Sequence, residues 1–259
     1  AFGELVHSLI GGVLRDGVPR NADEIGSALD REAAGLAETW PIARAVPPGL
    51  LWGHTMAMAR ERALRGLTEA LGEQRGVTWT ELSFGEPRDG PHPWATLAPV
   101  PIGQTGISFR GRIDRLDEDG ARGSAVITDY KVGTAPERKK PVVFDRGTEL
   151  QRVFYALAVR SLLPELRSVS SQLTYLKHDP ARTLSLTNEE LEKAIDQAVA
   201  FTAAGARLQR SGEIAPGPAP VFFDPLSIAL PADLDSYRRV KRRLFAQANG
   251  ALDKLWSSP

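Results

Sequence analysis

Two aspartates and a lysine, Asp114, Asp129 and Lys131, lie in segments whose residue patterns predict neighbouring β-strands. Because side chains alternate along a strand, Asp129 and Lys131 share one face and Tyr130 lies on the other. A hairpin would bring Asp114 within one strand spacing, about 4.8 Å, of Asp129. Two carboxylates that close repel each other unless a cation lies between them, and Mg²⁺ prefers oxygen ligands. The residues therefore suggest a divalent-metal site where Lys131 polarises a water or stabilises developing negative charge.

The segments that carry these residues are typical of a β-hairpin. Residues 107–116 alternate between apolar and polar side chains, residues 117–123 have the composition of a turn, and residues 124–131 follow as the returning strand. Three apolar residues precede Asp129, which predicts a buried strand. A solvated hairpin with scattered charges is the alternative.

The remaining pattern predicts mainly helices, with two further strands. Helices are expected over 2–14, within 21–75 with breaks near Pro41 and at 47–49, over 147–163, from Thr187 to about Arg210 and over 233–256; strands are expected over 77–84 and 169–177. Thr187 and Glu190 have the spacing of a capping box at a helix start.

The composition restricts the class of protein. The chain has 259 residues, 32 basic and 32 acidic, with 42% hydrophobic residues and no cysteine. These values are ordinary for a globular protein of one or two domains. The lack of cysteine excludes disulfides, cysteine nucleophiles and thiolate metal sites. A net charge of zero does not exclude a nucleic-acid partner, because binding depends on the local potential.

No segment of the sequence is typical of a membrane protein or of an exported one. The longest uncharged run, residues 90–109, is interrupted by prolines and reads as a loop. Residues 1–14 carry Glu4 and His7 and have no basic leader, unlike a signal peptide. We therefore expect no membrane contact and a cytoplasmic location.

Four short motifs occur in order along the chain. They are Gly3-x-x-x-His7, Gly111-x-x-Asp114, Asp129-Tyr130-Lys131 and Gln151-x-x-x-Tyr155. In this order they resemble the PD-(D/E)XK nuclease superfamily, and more narrowly its RecB-like branch. The resemblance implies an α/β fold with a restriction-endonuclease-like core, in which a small mixed β-sheet is flanked by helices. It further implies a nuclease core formed by residues 1–15 and 77–215, an α-helical insertion at 16–76, and a C-terminal linker and basic helix at 216–259.

The resemblance assigns roles to the motif residues. His7, Asp114 and Asp129 would bind Mg²⁺ or Mn²⁺ together with the main-chain carbonyl of Tyr130, and Lys131 would be the catalytic lysine. Gln151 and Tyr155 share a helix face and would lie near the site and the DNA backbone. Glu81 is a further candidate, because some members of the family carry an acidic residue on this strand that assists the metal site; a solvated position is equally consistent with the sequence.

Other residues compete for these roles or extend them. His54 also follows a glycine and is a rival to His7, whose apolar flanks match the motif better; His92 lies between two prolines and receives no role. Candidates for contacts with DNA phosphates are Arg110, Arg112, Arg138, Lys139, Lys140 and Arg152.

The function that the resemblance implies is metal-dependent cleavage of DNA in repair or recombination. RecB-like nuclease domains are often the C-terminal part of a helicase–nuclease, although this chain has no GxxxxGK[ST] phosphate loop. The four-cysteine iron–sulfur cluster of one subset of the branch is excluded, because the chain has no cysteine. The main alternative is a catalytically silent DNA-binding or scaffold module. A glycosidase is least favoured, because it would use neither Lys131 nor the arginine-rich strand.

Overall fold

The computed structural model describes residues 2–15, 17–46, 49–71, 76–87, 92–137, 143–212 and 233–257. The helices are α1 (Phe2–Arg15), α2 (Ala22–Arg44), α3 (Leu50–Leu71), α4 (Gln151–Leu162), α5 (Asn188–Ser211), α6 (Leu234–Ala248) and α7 (Gly250–Ser257). The strands are β1 (Val77–Phe84), β2 (Val100–Pro101), β3 (Ser108–Phe109), β4 (Gly111–Asp119), β5 (Ser124–Lys131), β6 (Ser168–Tyr175) and β7 (Arg182–Leu186). A short 3₁₀ helix, Asp145–Gly147, precedes α4.

The main sheet has five strands in the order β1-β4-β5-β6-β7. The pair β5–β6 is parallel, and the other neighbours in this sheet are antiparallel. Helix α4 connects the two parallel strands, as a crossover between parallel strands requires. The predicted α/β class, with a small mixed sheet flanked by helices, is therefore confirmed.

Hydrophobic side chains cover both faces of this sheet. On one face, apolar side chains of α1, α2 and α3 pack together with Tyr130 and Leu176. On the other face, side chains of α4 and α5 pack against Ile113, Ile127 and their neighbours. The apolar stripe of α1 lies in the first core, which fixes this helix against the end of β5.

The pairing of β4 with both of its neighbours is interrupted at Asp114. On the β5 side, the register runs from Asp119↔Ser124 to Arg115↔Thr128 and stops there, although β5 continues to Lys131. On the β1 side, the pairs Thr80↔Arg115 and Leu82↔Ile113 leave out the position between them. Along these strands, every residue of which the structure describes, Asp114 therefore lies at an opening in the hydrogen-bond ladder.

The hairpin that carries Asp114 differs in its bounds from the sequence prediction. Strand β4 starts at Gly111 and continues to Asp119, whereas the prediction placed a strand over 107–116 and a turn from Asp117. Asp117 is 2% exposed and Arg115 is 1% exposed. The Nε atom of Arg115 lies 2.8 Å from Oδ2 of Asp117. This part of the strand pairs with both β1 and β5, and each of the two buried charges neutralises the other.

The ends of several helices, and one strand, differ from the sequence prediction. The capping box of Thr187 and Glu190 is present at the start of α5. Pro41 lies within α2 and does not end it, the last predicted helix is divided at Asn249 into α6 and α7, and strand β7 was not predicted. The predicted break at 47–49 includes residues 47 and 48, which lie outside the described residues.

We expect the buried pair of Arg115 and Asp117 to be important for stability. Asp117→Asn leaves the guanidinium group without its counter-ion, so the free energy of unfolding should fall by about 3–5 kcal/mol. Asp30→Asn is the matched control, because Asp30 pairs with Arg60 at the surface and surface pairs contribute only about 0–1 kcal/mol. Urea denaturation measures both; a similar small loss in the two variants would contradict the prediction.

Candidate metal and catalytic site

The histidine of the first motif reaches the opening in the sheet from α1. His7 lies at the edge of the buried stripe of α1, between the buried residues Val6 and Leu9. Its Nε2 atom is 2.9 Å from the main-chain carbonyl oxygen of Tyr130, and its Nδ1 atom is 3.3 Å from Oδ1 of Asp114. A carbonyl oxygen only accepts hydrogen bonds, so Nε2 carries a proton in this arrangement.

The main-chain groups of Tyr130 are available because of the strand geometry. Successive residues of a strand direct their N–H and C=O groups to opposite neighbours, and the carbonyl of Lys131 accepts from Leu176 N, at 2.8 Å, on the β6 side. The groups of Tyr130 therefore face β4, where the ladder has ended. Its N–H donates to Oδ2 of Asp114 at 2.9 Å, and its carbonyl faces His7. Asp114 thus replaces a missing strand partner and orients the carbonyl.

The lysine of the third motif is held by β5 and α4. The Nζ atom of Lys131 lies 2.6 Å from Oδ2 of Asp129 and also donates a hydrogen bond to Oε1 of Gln151 at the start of α4. The Nε2 atom of Gln151 lies 3.5 Å from the hydroxyl of Tyr155, one turn further along α4. The second, third and fourth motifs therefore lie together at one end of β5.

The site concentrates negative charge in a buried position. Burial raises the pKa of Asp129, and the charge of Asp114 raises it further, to about 6, although Lys131 and His7 partly offset both effects. Burial alone would lower the pKa of His7, but its hydrogen bond to Asp114, the charge of Asp114, the bond to Tyr130 and the charge of Asp129 together raise it. The environment thus favours bound positive charge.

The donor atoms present fit a divalent cation. Single ligand atoms of His7, Glu81 and Asp114 all lie within 4.8 Å of one another, and the Tyr130 carbonyl lies beside His7. Within the described part of the chain, Asp129 does not belong to that group of three, and its carboxylate is paired with Lys131. Carboxylate and carbonyl oxygens suit Mg²⁺ and Mn²⁺, and imidazole suits transition metals.

The predicted phosphate-binding arginines differ in their surroundings. Arg110 is exposed and lies 3.6 Å from Glu86, and Arg112 is half-exposed and lies 3.0 Å from Glu81. Arg152 is 2% exposed and bonds to Glu149 and to the carbonyl of Leu184. The structure therefore corrects the expectation for Arg152, whose charge is already neutralised inside the fold.

The structure describes the two other candidate histidines but not three of the predicted phosphate contacts. Arg138, Lys139 and Lys140 lie outside the described residues. His54 is exposed on α3, and His92 stacks on Trp94. Neither histidine belongs to the group of possible ligands found among the described residues.

Sequence reasoning missed Arg115, which contacts the Tyr130 hydroxyl inside the fold. The Nη1 atom of Arg115 lies 3.4 Å from the hydroxyl of Tyr130, and Asp117 accepts a hydrogen bond from the hydroxyl of Thr78 at 2.6 Å. The available signal was a pair of opposite charges two residues apart, beside the apolar residues Ile113 and Leu116. Two residues apart in a strand means the same face.

With this geometry established, comparison with known proteins identifies the class. The sequence model of the PD-(D/E)XK nuclease superfamily matches residues 1–222, so the chain belongs to that superfamily. Members of the superfamily are typically nucleases that act on DNA and use divalent metal ions, most often Mg²⁺. No curated protein matches the chain.

The helices of the described residues were also compared with the requirements of a membrane span. None of them combines the length and the apolar character that such a span needs.

The raised pKa of Asp129 predicts that Asp129→Asn increases the stability of the metal-free protein at high pH. The folded-state pKa of about 6 exceeds the unfolded value of about 3.9, so metal-free wild-type protein loses stability as pH rises through about 4 to 6. Asn carries no such charge. At pH 8 the variant should be more stable, by on the order of 1–3 kcal/mol, and below about pH 4 the difference should vanish. Urea denaturation with a chelator present measures this; a variant less stable at pH 8 would contradict it.

We predict that His7 and not His54 contributes to metal binding. His7→Ala removes the two ring nitrogens, of which Nδ1 faces Asp114 and Nε2 faces the Tyr130 carbonyl, so Mn²⁺ affinity should fall at least about tenfold. His54→Ala, at an exposed position of α3, should leave the affinity unchanged. Isothermal titration calorimetry with Mn²⁺ compares them, and equal affinities in the two variants would refute the assignment.

Proposed function

We propose that the chain is a metal-dependent DNA nuclease of the RecB-like branch that hydrolyses phosphodiester bonds. The observation that carries the proposal is the convergence of His7, Asp114, the Tyr130 carbonyl and the Asp129–Lys131 pair at one opening in the sheet. Membership of the superfamily supports the reaction class. The histidine on α1, which bonds to the Tyr130 carbonyl, supports the narrower branch, because it belongs to that branch's motif set.

In this proposal His7, Asp114, Asp129 and the Tyr130 carbonyl hold Mg²⁺ or Mn²⁺. A divalent ion bound there supplies positive charge that neutralises the scissile phosphate and makes a nearby water more acidic. Asp114 has two functions in the protein itself. Its Oδ2 accepts from Tyr130 N–H, which directs the carbonyl toward the site, and its Oδ1 faces His7.

Lys131 is the proposed catalytic lysine. Its ammonium group pairs with Asp129 and donates a hydrogen bond to Gln151. These two contacts fix the position of the ammonium beside the carboxylates. From this position it would donate a proton of its ammonium group in a hydrogen bond to the attacking water or to a phosphoryl oxygen, and stabilise the charge that develops there. Gln151 and Tyr155 act in this proposal as positioning residues for Lys131 and the DNA backbone.

The proposed DNA path runs along exposed basic side chains near the site. Arg112 lies at the start of β4, and Arg110 directly precedes the strand. Both are exposed and pair with glutamates, Arg112 with Glu81 and Arg110 with Glu86. Arg138, Lys139 and Lys140 remain proposals from the sequence. Exposed Arg239, Lys241 and Arg243 of α6 are an alternative route, or an ordinary solvated helix face. Phosphates are the partners such arginines prefer.

The cellular role follows from the proposed branch. RecB-like nucleases suggest DNA repair or recombination in the cytoplasm, with a helicase domain or subunit as partner. These parts of the proposal rest on the motif resemblance alone. A catalytically silent DNA-binding module is the alternative function, and the presence of both aspartates and Lys131 in one cluster argues against it.

The nuclease proposal predicts metal-dependent nicking that requires Lys131. With Mg²⁺ or Mn²⁺ as the only divalent cation, purified protein should nick supercoiled plasmid and degrade labelled linear DNA, and a chelator should abolish both reactions. Lys131→Met should lower the rate by roughly 10²-fold or more, the scale of a lost electrostatic contact to the transition state. Lys193→Met is the control, because Lys193 pairs with Glu189 at the surface.

The outcomes separate the two functions. A wild-type protein that binds DNA and Mn²⁺ but never cleaves would favour the silent module. Cleavage by Lys131→Met at the wild-type rate would contradict the role of the lysine. Circular single-stranded DNA, which offers no ends, distinguishes endonucleolytic from exonucleolytic cleavage.

A further inference from the structure

A cavity of about 230 Å³ lies beside Lys131. The side chains that line it come from β5, β6 and β7, from Pro136 and from the segment that leads into α4. An apolar cavity of about 150 Å³ is sufficient for one benzene ring, whereas pockets for whole small molecules usually reach about 300–1,000 Å³. The cavity therefore fits one planar ring system and not a larger molecule.

Tyr175 forms one wall of this cavity and lies on the same face of the sheet as Lys131. Strands β5 and β6 are parallel, and their register pairs Asp129 with Leu173 and Lys131 with Tyr175. Paired residues of neighbouring strands project to the same face, and neighbouring strands are about 4.8 Å apart. The aromatic ring is therefore one strand away from the ammonium of Lys131, and Leu173 provides an apolar surface next to it.

The phenol of Tyr175 remains protonated and is able to donate. Burial raises its pKa, and the charges of Glu149, Asp129 and Asp145 raise it further, although Arg152 partly offsets these effects. Within the residues that the structure describes, the hydroxyl makes no hydrogen bond. Tyr175 therefore offers the cavity an aromatic face and a neutral hydroxyl.

The charges around the cavity favour an uncharged occupant. Arg152 contributes to the lining, but its Nη2 atom lies 2.6 Å from Oε2 of Glu149 and its Nη1 atom donates to the carbonyl of Leu184. The carboxylates of Glu149 and Asp145 also line the cavity, and they would repel a phosphate. Because carboxylate oxygens only accept hydrogen bonds, the cavity suits a neutral ring that carries N–H donors.

An unusual backbone conformation shapes the side of the cavity that leads into α4. The φ angles of Asp145 and Arg146 are +41° and +58°, in the left-handed region that residues other than glycine rarely adopt. The carbonyl of buried Phe144 accepts a hydrogen bond from the N–H of Glu149 at 3.1 Å. Such conformations persist where the surrounding structure enforces them, and they concentrate at functional sites.

A second wall, formed by Pro136, is also held in place. The preceding residue, Ala135, is 2% exposed, and its N–H donates to Nε2 of His178 at 2.9 Å. His178 follows β6, the strand that carries Tyr175. The walls of the cavity are therefore tied to the fold and to one another, as in a binding pocket that is largely formed before its ligand arrives.

We propose that this cavity receives one unpaired nucleobase of the DNA strand that is cut, stacked on the ring of Tyr175, while the adjoining phosphate lies at Lys131. The inference rests on the proposed nuclease function. A nucleobase is a flat, uncharged ring system with N–H donors, and unpaired bases commonly stack on aromatic side chains. A base within a duplex would first have to be flipped out, which costs free energy, so the cavity favours single-stranded DNA.

A single-stranded oligonucleotide with one abasic residue tests the proposal. The wild type should cut the bond next to that residue about 5- to 150-fold more slowly than the same bond in the intact strand, the range of one base stacked on an aromatic residue. Tyr175→Ala should cut the intact strand more slowly and lose most of this difference, because both changes remove the same contact. Tyr175→Phe keeps the ring and should keep the difference.

Trp79→Ala is the matched control for loss of an aromatic ring from the sheet. Trp79 is half-buried on β1 and does not line the cavity, so the variant should still cut more slowly next to the abasic residue. Loss of that difference in Trp79→Ala would attribute the effect to general destabilisation and contradict the proposal. If Tyr175→Ala does not fold, equal cutting of the two strands by the wild type still overturns the inference.

Binding separates failure of this inference from failure of the nuclease function. Fluorescence anisotropy with a chelator present, which prevents metal-dependent cleavage, compares an ordinary oligonucleotide with one of equal length that lacks every base. The wild type should bind the ordinary strand more tightly, and Tyr175→Ala should reduce the difference. That result in a protein that never cleaves would support the base site and reject the nuclease. Equal affinities for the two strands exclude the base site even if the wild type cleaves DNA.

Discussion

The interrupted hydrogen-bond ladder around Asp114 is the constraint on which the site depends. Strand β5 stops pairing with β4 before this residue, and β1 leaves out the position opposite it and then resumes pairing. The N–H and C=O groups of Tyr130 therefore have no strand partner on the β4 side. Unpaired buried main-chain groups are costly. The side chain of Asp114 satisfies the N–H, and His7 satisfies the carbonyl. In a continuous ladder, strand β4 would have bonded to both main-chain groups of Tyr130, and its carbonyl oxygen could not face a cation.

The same opening creates an unfavourable charge balance that a divalent cation would relieve. Two carboxylates lie near each other in a buried position, and burial and mutual repulsion together raise the pKa of Asp129 to about 6. Lys131 pairs with one carboxylate and His7 faces the other. The arrangement therefore costs stability in the metal-free state, and binding of positive charge would recover it. Function and local instability have one physical origin here.

Rigid elements on both faces of the sheet keep this unfavourable arrangement in place. Helix α1 packs in one core and presents His7, and α4 packs in the other and presents Gln151. The buried pair of Arg115 and Asp117 lies further along β4, and Arg115 contacts the tyrosine hydroxyl. Side chains held by packed helices and paired charges have little freedom to move apart, as a pre-organised site requires.

The sequence by itself determined the local features: the alternation that predicts β5, the capping box of Thr187, and the motifs that carry His7, Asp129 and Lys131. These depend on spacing along one element, which is visible in the chain. Only the tertiary structure decided that Arg115 and Asp117 are buried partners, that Arg152 is neutralised, and that Glu81 approaches His7. Each of these depends on which strand or helix faces the residue, and a contact between distant segments leaves no periodic signal in the sequence.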